Sequence, residues 1–124
     1  MRIDRRYTTE GHSPYDALVF RHATSEIRNP DGSVVFRLEN IEVPEAWSQV
    51  AADVLAQKYF RKAGVPQPDG SLGGETSVRQ VVHRMAATWQ AWGMRYGYFA
   101  SEKDAAVFYD ETVHMLLAQM VAPN

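Results

Sequence analysis

The chain has 124 residues, enough for one domain with a real core: 45% are hydrophobic, 11% aromatic, and the charged share of 23% is near the globular average. A formal net charge of −2 lacks the basic excess of a nucleic-acid-binding domain. The lack of cysteine excludes a disulfide framework, thiolate-held zinc, an iron–sulfur cluster and any thiol nucleophile, and no apolar run approaches the roughly 20 residues of a membrane helix.

Residues 1–16 are polar, carry Gly11 and Pro14, and read as an extended arm that needs a partner surface to become ordered. Arg2, Arg5 and Arg6 form a basic cluster within it, read as a solvated arm, with contact to phosphate as the alternative. No apolar stretch follows these charges, so no signal peptide is expected and the cytoplasm is the default compartment. Residues 17–39 predict a β-hairpin: Leu18, Phe20 and Val34, Phe36, Leu38 alternate with mostly polar neighbours. Between the runs lies Asn29-Pro30-Asp31-Gly32, with Pro30 preset for position i+1 of a type I turn and Gly32 free to take positive φ.

Pro44 suits the first position of a helix, and Trp47, Val50, Ala51, Val54, Leu55 and Tyr59 continue a stripe that predicts a helix over 44–63, ended by Gly64 and Pro66. Residues 64–75 read as a flexible connector, since no GxGxxG or P-loop pattern supports a phosphate cradle. A second helix is predicted over 77–93, with Ser77 and Gln80 as a capping box and Val78, Val81, Val82, Met85, Ala86, Trp89 and Trp92 as its apolar face. Trp89, Trp92, Tyr96, Tyr98 and Phe99 read as core by their helical spacing, with a stacking platform as the alternative. The third helix, 101–121, has Ser101 as N-cap with Glu102 and Asp104 at its positive end. Ala105, Phe108, Thr112, Met115, Leu116 and Met120 make one face, and Val107, Val113 and Leu117 widen it into an arc that implies burial on more than one side. No internal repeat is read. The expected fold is α+β, mainly α: an N-terminal arm and a β-hairpin packed on a three-helix bundle, with 17–124 as a single domain.

Chemistry is sparse. His12, His22, His83 and His114 offer neither an i, i+4 pair on a helix nor an HExxH motif. No GxSxG elbow occurs. Asp110 and Glu111 are neighbours on a helix, so their side chains diverge, which argues against paired-carboxylate catalysis. No catalytic, cofactor-binding or metal-ligating residue is assigned.

The run Arg5-Arg6-Tyr7-Thr8-Thr9-Glu10-Gly11-His12-Ser13-Pro14-Tyr15 resembles the start of class II, adenosylcobalamin-dependent ribonucleotide reductases. So do Thr24 to Phe36, around Asn29-Pro30-Asp31-Gly32-Ser33, and Trp47 to Pro66, with Lys58-Tyr59-Phe60-Arg61-Lys62-Ala63-Gly64. Glu75-Thr76-Ser77, Gly97-Tyr98-Phe99 and Met120-Val121-Ala122-Pro123-Asn124 are similar too. The likeness spans nearly the whole chain, with a shorter stretch here after Gly64-Val65-Pro66. It implies the N-terminal domain of a vitamin B12-dependent ribonucleoside-diphosphate reductase, continuing past Asn124 into a catalytic α/β barrel. In such enzymes a cobalamin-derived radical makes a thiyl radical and a dithiol supplies electrons, so a cysteine-free segment is expected to be inactive alone and to bind no cofactor itself.

The resemblance implies a bracing role for the barrel's first strand, and it places Asn124 near the substrate phosphate. A stand-alone module that binds a separate reductase chain or a nucleotide is the alternative function. The wide apolar arc of the third helix, without a barrel to cover it, predicts a homodimer for the isolated domain. Neither nucleic acid nor membrane is expected as a partner.

Overall fold

The tetrapeptide Pro-Asp-Gly-Ser occurs twice, at 30–33 and 68–71, and each copy turns the chain back on itself. In the computed structural model, which describes residues 1–123, the first copy joins β1 (Phe20–Arg28) to β2 (Val34–Pro44) and the second joins β3 (Val65–Pro66) to β4 (Leu72–Gly73). Both turns are built alike. Gly32 N–H donates to the Asn29 carbonyl (2.9 Å) and Gly70 N–H to that of Gln67 (3.0 Å). Asp31 and Asp69 each accept from the serine two residues on, through its amide (2.9 Å) and its hydroxyl (2.6 Å). Gly32 and Gly70 sit at φ 87° and 85°, where a Cβ would be strained. The expected flexible connector over 64–75 is therefore a second, miniature hairpin, and a short internal repeat is present.

Helices α1 (Gln49–Val54), α2 (Val78–Arg95) and α3 (Glu102–Leu117) complete an α+β fold with two two-stranded antiparallel sheets. By contact the chain forms two compact units, Val19–Val81 and a second made of Met1–Leu18 with the residues from Val82 onward.

In the Val19–Val81 unit, β1 and β2 pair from Phe20 opposite Pro44 to Arg28 opposite Val34, with a shift of register after Ala23. Asn40 takes φ 55° opposite that shift, as asparagine tolerates better than most residues. Pro44 ends β2 and does not start a helix. Ser48 is the cap instead, its hydroxyl accepting from the Ala51 amide at 3.1 Å. After α1 the chain widens into one π-helical turn, Leu55–Tyr59, closed by Phe60 N–H donating to the Leu55 carbonyl at 3.0 Å. This ends the first helical segment short of residue 63, and Phe60 is buried, as are Leu55, Ala56, Ile41 and Val43 of the same unit. Ser25, fully buried, donates to Asp53 at 2.8 Å, tying sheet to helix. The capping box at the start of α2 is present: Gln80 Oε1 accepts from the amides of Thr76 (2.8 Å) and Ser77 (3.0 Å). Ser77 Oγ donates to Glu42 on β2 at 2.6 Å.

In the other unit, Val82 and Ala86 of α2 and Ala105, Val107, Val113, Leu116 and Leu117 of α3 are buried. Gln90 on α2 donates to the Ala105 carbonyl at 2.9 Å. Ser101 caps α3, as the sequence indicates, accepting from the Asp104 amide at 3.2 Å. α3 stops at Leu117, where Gln119 turns to φ 58°. Among the described residues no helix is long and apolar enough to cross a membrane.

Candidate functional site

A dense polar constellation joins residues 1–8 to α3. Asp104, Asp110 and Glu111 lie on α3 at spacings of six and seven, so Asp104 and Glu111 share one face two turns apart. The arm runs along them. Met1 donates its ammonium to the Tyr98 carbonyl (2.7 Å) and accepts from the Ala100 amide (2.8 Å). The Ile3 amide donates to Asp104 Oδ1 at 2.8 Å, and Arg5 pairs with Asp110 at 2.7 Å.

Glu111 is the centre of this arrangement. It is 8% exposed, and its carboxylate accepts from the amides of Arg6, Tyr7 (3.0 Å) and Thr8 (3.0 Å) and from the Thr8 hydroxyl (2.7 Å). Consecutive amides converging on one anion form a nest, here filled by the chain's own side chain. Burial by itself would push the Glu111 carboxyl up. The Thr8 hydroxyl and the amides of Tyr7, Arg6 and Thr8 outweigh it and hold the carboxyl below its ordinary value. Asp104 is lowered as well, first by the Ile3 amide and then by the Ser101 hydroxyl, with the terminal ammonium and Arg2 adding to them.

The arm is therefore ordered against its own chain, and Asp110 and Glu111 diverge as expected, one to a guanidinium and the other to backbone amides. Sequence reasoning missed Glu111 because its partners lie more than 100 positions away. Signals for it were present in retrospect: an acidic pair at 110–111 in the middle of a helix with a wide apolar arc, and a basic cluster at the opposite end of the chain.

Two of the histidines are held by tyrosines. His114 stacks on Tyr7 with ring centroids 4.9 Å apart and planes 4° apart. His83 Nδ1 lies 2.7 Å from the Tyr109 hydroxyl, which is 3.0 Å from that of Tyr15. His12 and His114 border a shallow depression of about 80 Å³ shared with Tyr7, Thr8, Thr9 and Ser13. Small-molecule sites run to about 300–1,000 Å³, so the residues around this depression do not fit a corrinoid. Among the described residues no group of three or more histidines and carboxylates is placed to hold a metal.

The aromatic cluster departs from its expected role. Trp92, Tyr96 and Tyr98 are 55%, 60% and 60% exposed, while Trp89 and Phe99 are half-buried. The buried stripe of α2 passes through Val82, Ala86 and Gly93, and Trp92 and Tyr96 fall on its flank. Conversely, the arc of α3 that suggested self-association is largely covered, with Val107, Val113, Leu116 and Leu117 each no more than 6% exposed. Asn124 lies outside the described residues.

A sequence profile of the class II vitamin B12-dependent ribonucleotide reductases matches residues 21–119. Three curated relatives each match the whole chain and are named vitamin B12-dependent ribonucleotide reductase. They come from Bradyrhizobium diazoefficiens (50% identical), Agrobacterium fabrum (49%) and Streptomyces clavuligerus (38%). The chain spans 12% of the length of each. The first two alignments run over 153 and 152 positions, so those proteins carry additional residues within the matched stretch.

Proposed function

The chain belongs to the class II vitamin B12-dependent ribonucleotide reductases, as their N-terminal domain, and from that premise we propose that it is a non-catalytic structural segment bracing the catalytic barrel of such an enzyme. The observation that carries the reading is the arm–α3 constellation. Its three carboxylates are engaged by the chain's own amides, hydroxyls and guanidinium, with Glu111 accepting three amides at once. Groups held in this way fix a backbone. A general acid or base must instead reach a substrate proton.

The full enzyme of this reading is cytoplasmic and makes deoxyribonucleotides for DNA synthesis from ribonucleoside diphosphates. Adenosylcobalamin bound elsewhere in it would supply the radical that starts the reaction. A chain without cysteine has no sulfur for the thiyl radical or the reducing dithiol, and no step is assigned to residues 1–123. Packing of the hairpin on a three-helix bundle, and Asn124 close to the substrate phosphate, belong to the same proposal.

The test uses two proteins: the purified chain, and the chain joined to the remainder of the Bradyrhizobium relative in place of that protein's own first segment. With adenosylcobalamin, ribonucleoside diphosphate and dithiol, the chain alone yields no deoxyribonucleotide. The joined protein is active, and deleting the segment lowers its thermal stability. Turnover by the purified chain, or a reductase indifferent to the deletion, overturns the reading.

A further inference from the structure

We propose that the exposed aromatic end of α2, formed by Trp92, Tyr96 and Tyr98, is the surface by which this segment docks on the remainder of a full-length reductase. The proposal rests on the structural reading above and names the surface that reading needs.

Trp92 and Tyr96 stand one turn apart on α2, and the Tyr98 ring lies 6.1 Å from that of Tyr96. All three are more than half exposed. At the 150–250 Å² that an aromatic side chain can bury, they offer roughly 400 Å² of contiguous surface. Patches of that size on soluble domains are often functional. Tryptophan, tyrosine and arginine are the residues that dominate binding energy at interfaces, and the Arg95 guanidinium sits 5.5 Å from the Tyr96 ring centre.

The surface is also held rigid before any partner arrives. The Tyr98 amide donates to the Gly93 carbonyl at 2.8 Å, and Gly97 takes φ 69° to make that turn. A Cβ on Gly93 would lie 2.3 Å from the Phe99 ring, so the turn folds back tightly on the helix. The terminal ammonium holds the Tyr98 carbonyl from the other side. Little ordering entropy is left to lose on docking.

The occupant follows from size. A stable interface between separate chains buries about 800 Å² on each side, twice what these rings supply, so a second copy is poorly served by them. A covalently joined partner is present at an effective concentration in the millimolar range, where a small surface suffices. The curated relatives are about eight times the length of this chain, which is 12% of each, so the same polypeptide has the material to cover the rings.

The experiment uses the joined protein described above, with benzoylphenylalanine incorporated at position 98. Irradiation is expected to link position 98 to residues beyond this segment of the same chain, at a yield independent of protein concentration. Trp92→Ser with Tyr98→Ser is expected to speed protease cleavage between segment and remainder at least about tenfold. Met94→Ser, on the other side of the helix and also exposed, should leave the cleavage rate unchanged. Retained exchange protection of the Arg6, Tyr7 and Thr8 amides reports that the double variant is folded. Links between chains, or no link together with unchanged cleavage, overturn the docking surface. If deletion of the whole segment still lowers stability in that case, the structural role stands without it.

Discussion

Removal of the Glu111 carboxylate is the most informative single perturbation. In Glu111→Ala the amides of Arg6, Tyr7 and Thr8 and the Thr8 hydroxyl all lose their acceptor. Hydrogen bonds to a charged group contribute about 1.5–3 kcal/mol each, so four of them suggest a loss above 6 kcal/mol. That figure is too large, because the arm need not stay buried and unsatisfied. Residues 1–8 can peel away to water, which caps the loss at the free energy of docking the arm. Ordering those residues also costs conformational entropy, about 1–2 kcal/mol for each backbone unit fixed. A net loss of about 3 kcal/mol is expected, which for a domain of this size lowers Tm by roughly 12 °C. Glu111→Gln keeps the volume but turns an NH₂ donor toward amide donors, so it should lose nearly as much. Thermal unfolding followed by circular dichroism gives Tm, and hydrogen exchange reads the three amides directly. A Tm within about 2 °C of the parent, with those amides still protected, would refute the view that Glu111 anchors the arm.

Three further outcomes follow from the same contacts. Glu111 and Asp104 both have folded pKa values below their unfolded ones. Their stabilisation is therefore complete above the unfolded values of about 4.3 and 3.9 and is lost as pH falls through the lower folded values. Acid titration of exchange at Ile3 and at Arg6 to Thr8 should show the arm releasing in that window, and release above pH 6 would contradict the assignment. Gly93→Ala drives a Cβ into the Phe99 ring, which packs 5.3 Å from Phe108, and should destabilise by about 1–3 kcal/mol in chemical denaturation; an unchanged midpoint would show that the ring moves freely. Ser101→Ala removes the α3 cap and should cost about 1 kcal/mol, measured in the same way, with no change meaning that water replaces the hydroxyl.

What the sequence discloses depends on the range of the interaction. The Asn29-Pro30-Asp31-Gly32 turn, the Ser77–Gln80 capping box and the Ser101 cap are all visible because each is complete within four residues. Pro44 misleads because proline suits both a strand end and a first helical turn. Its place was decided by the pairing of Phe20 with Pro44, a contact between positions 24 apart in the chain. The second Pro-Asp-Gly-Ser turn carried the same local signal as the first, but its strands are two residues long and leave no alternation to read. The Glu111 nest joins opposite ends of the chain, so no window along the sequence contains it. The breadth of the α3 arc was legible, since both of its sides are buried, whereas the aromatic cluster misleads because hydrophobicity states that a face is apolar and only packing decides which apolar face is covered. The family resemblance, carried by long local runs, held over the matched residues 21–119.

On the proposed reading this segment shapes a reductase without taking part in its chemistry. The deciding measurement is kcat per folded molecule in the joined protein carrying Glu111→Ala, with the folded fraction measured on the same sample. A structural segment predicts a lowered Tm and a kcat, normalised to folded enzyme, within about twofold of the parent. A kcat lower by about 100-fold or more at unchanged Tm, the size of effect that loss of a general acid or base produces, would contradict it.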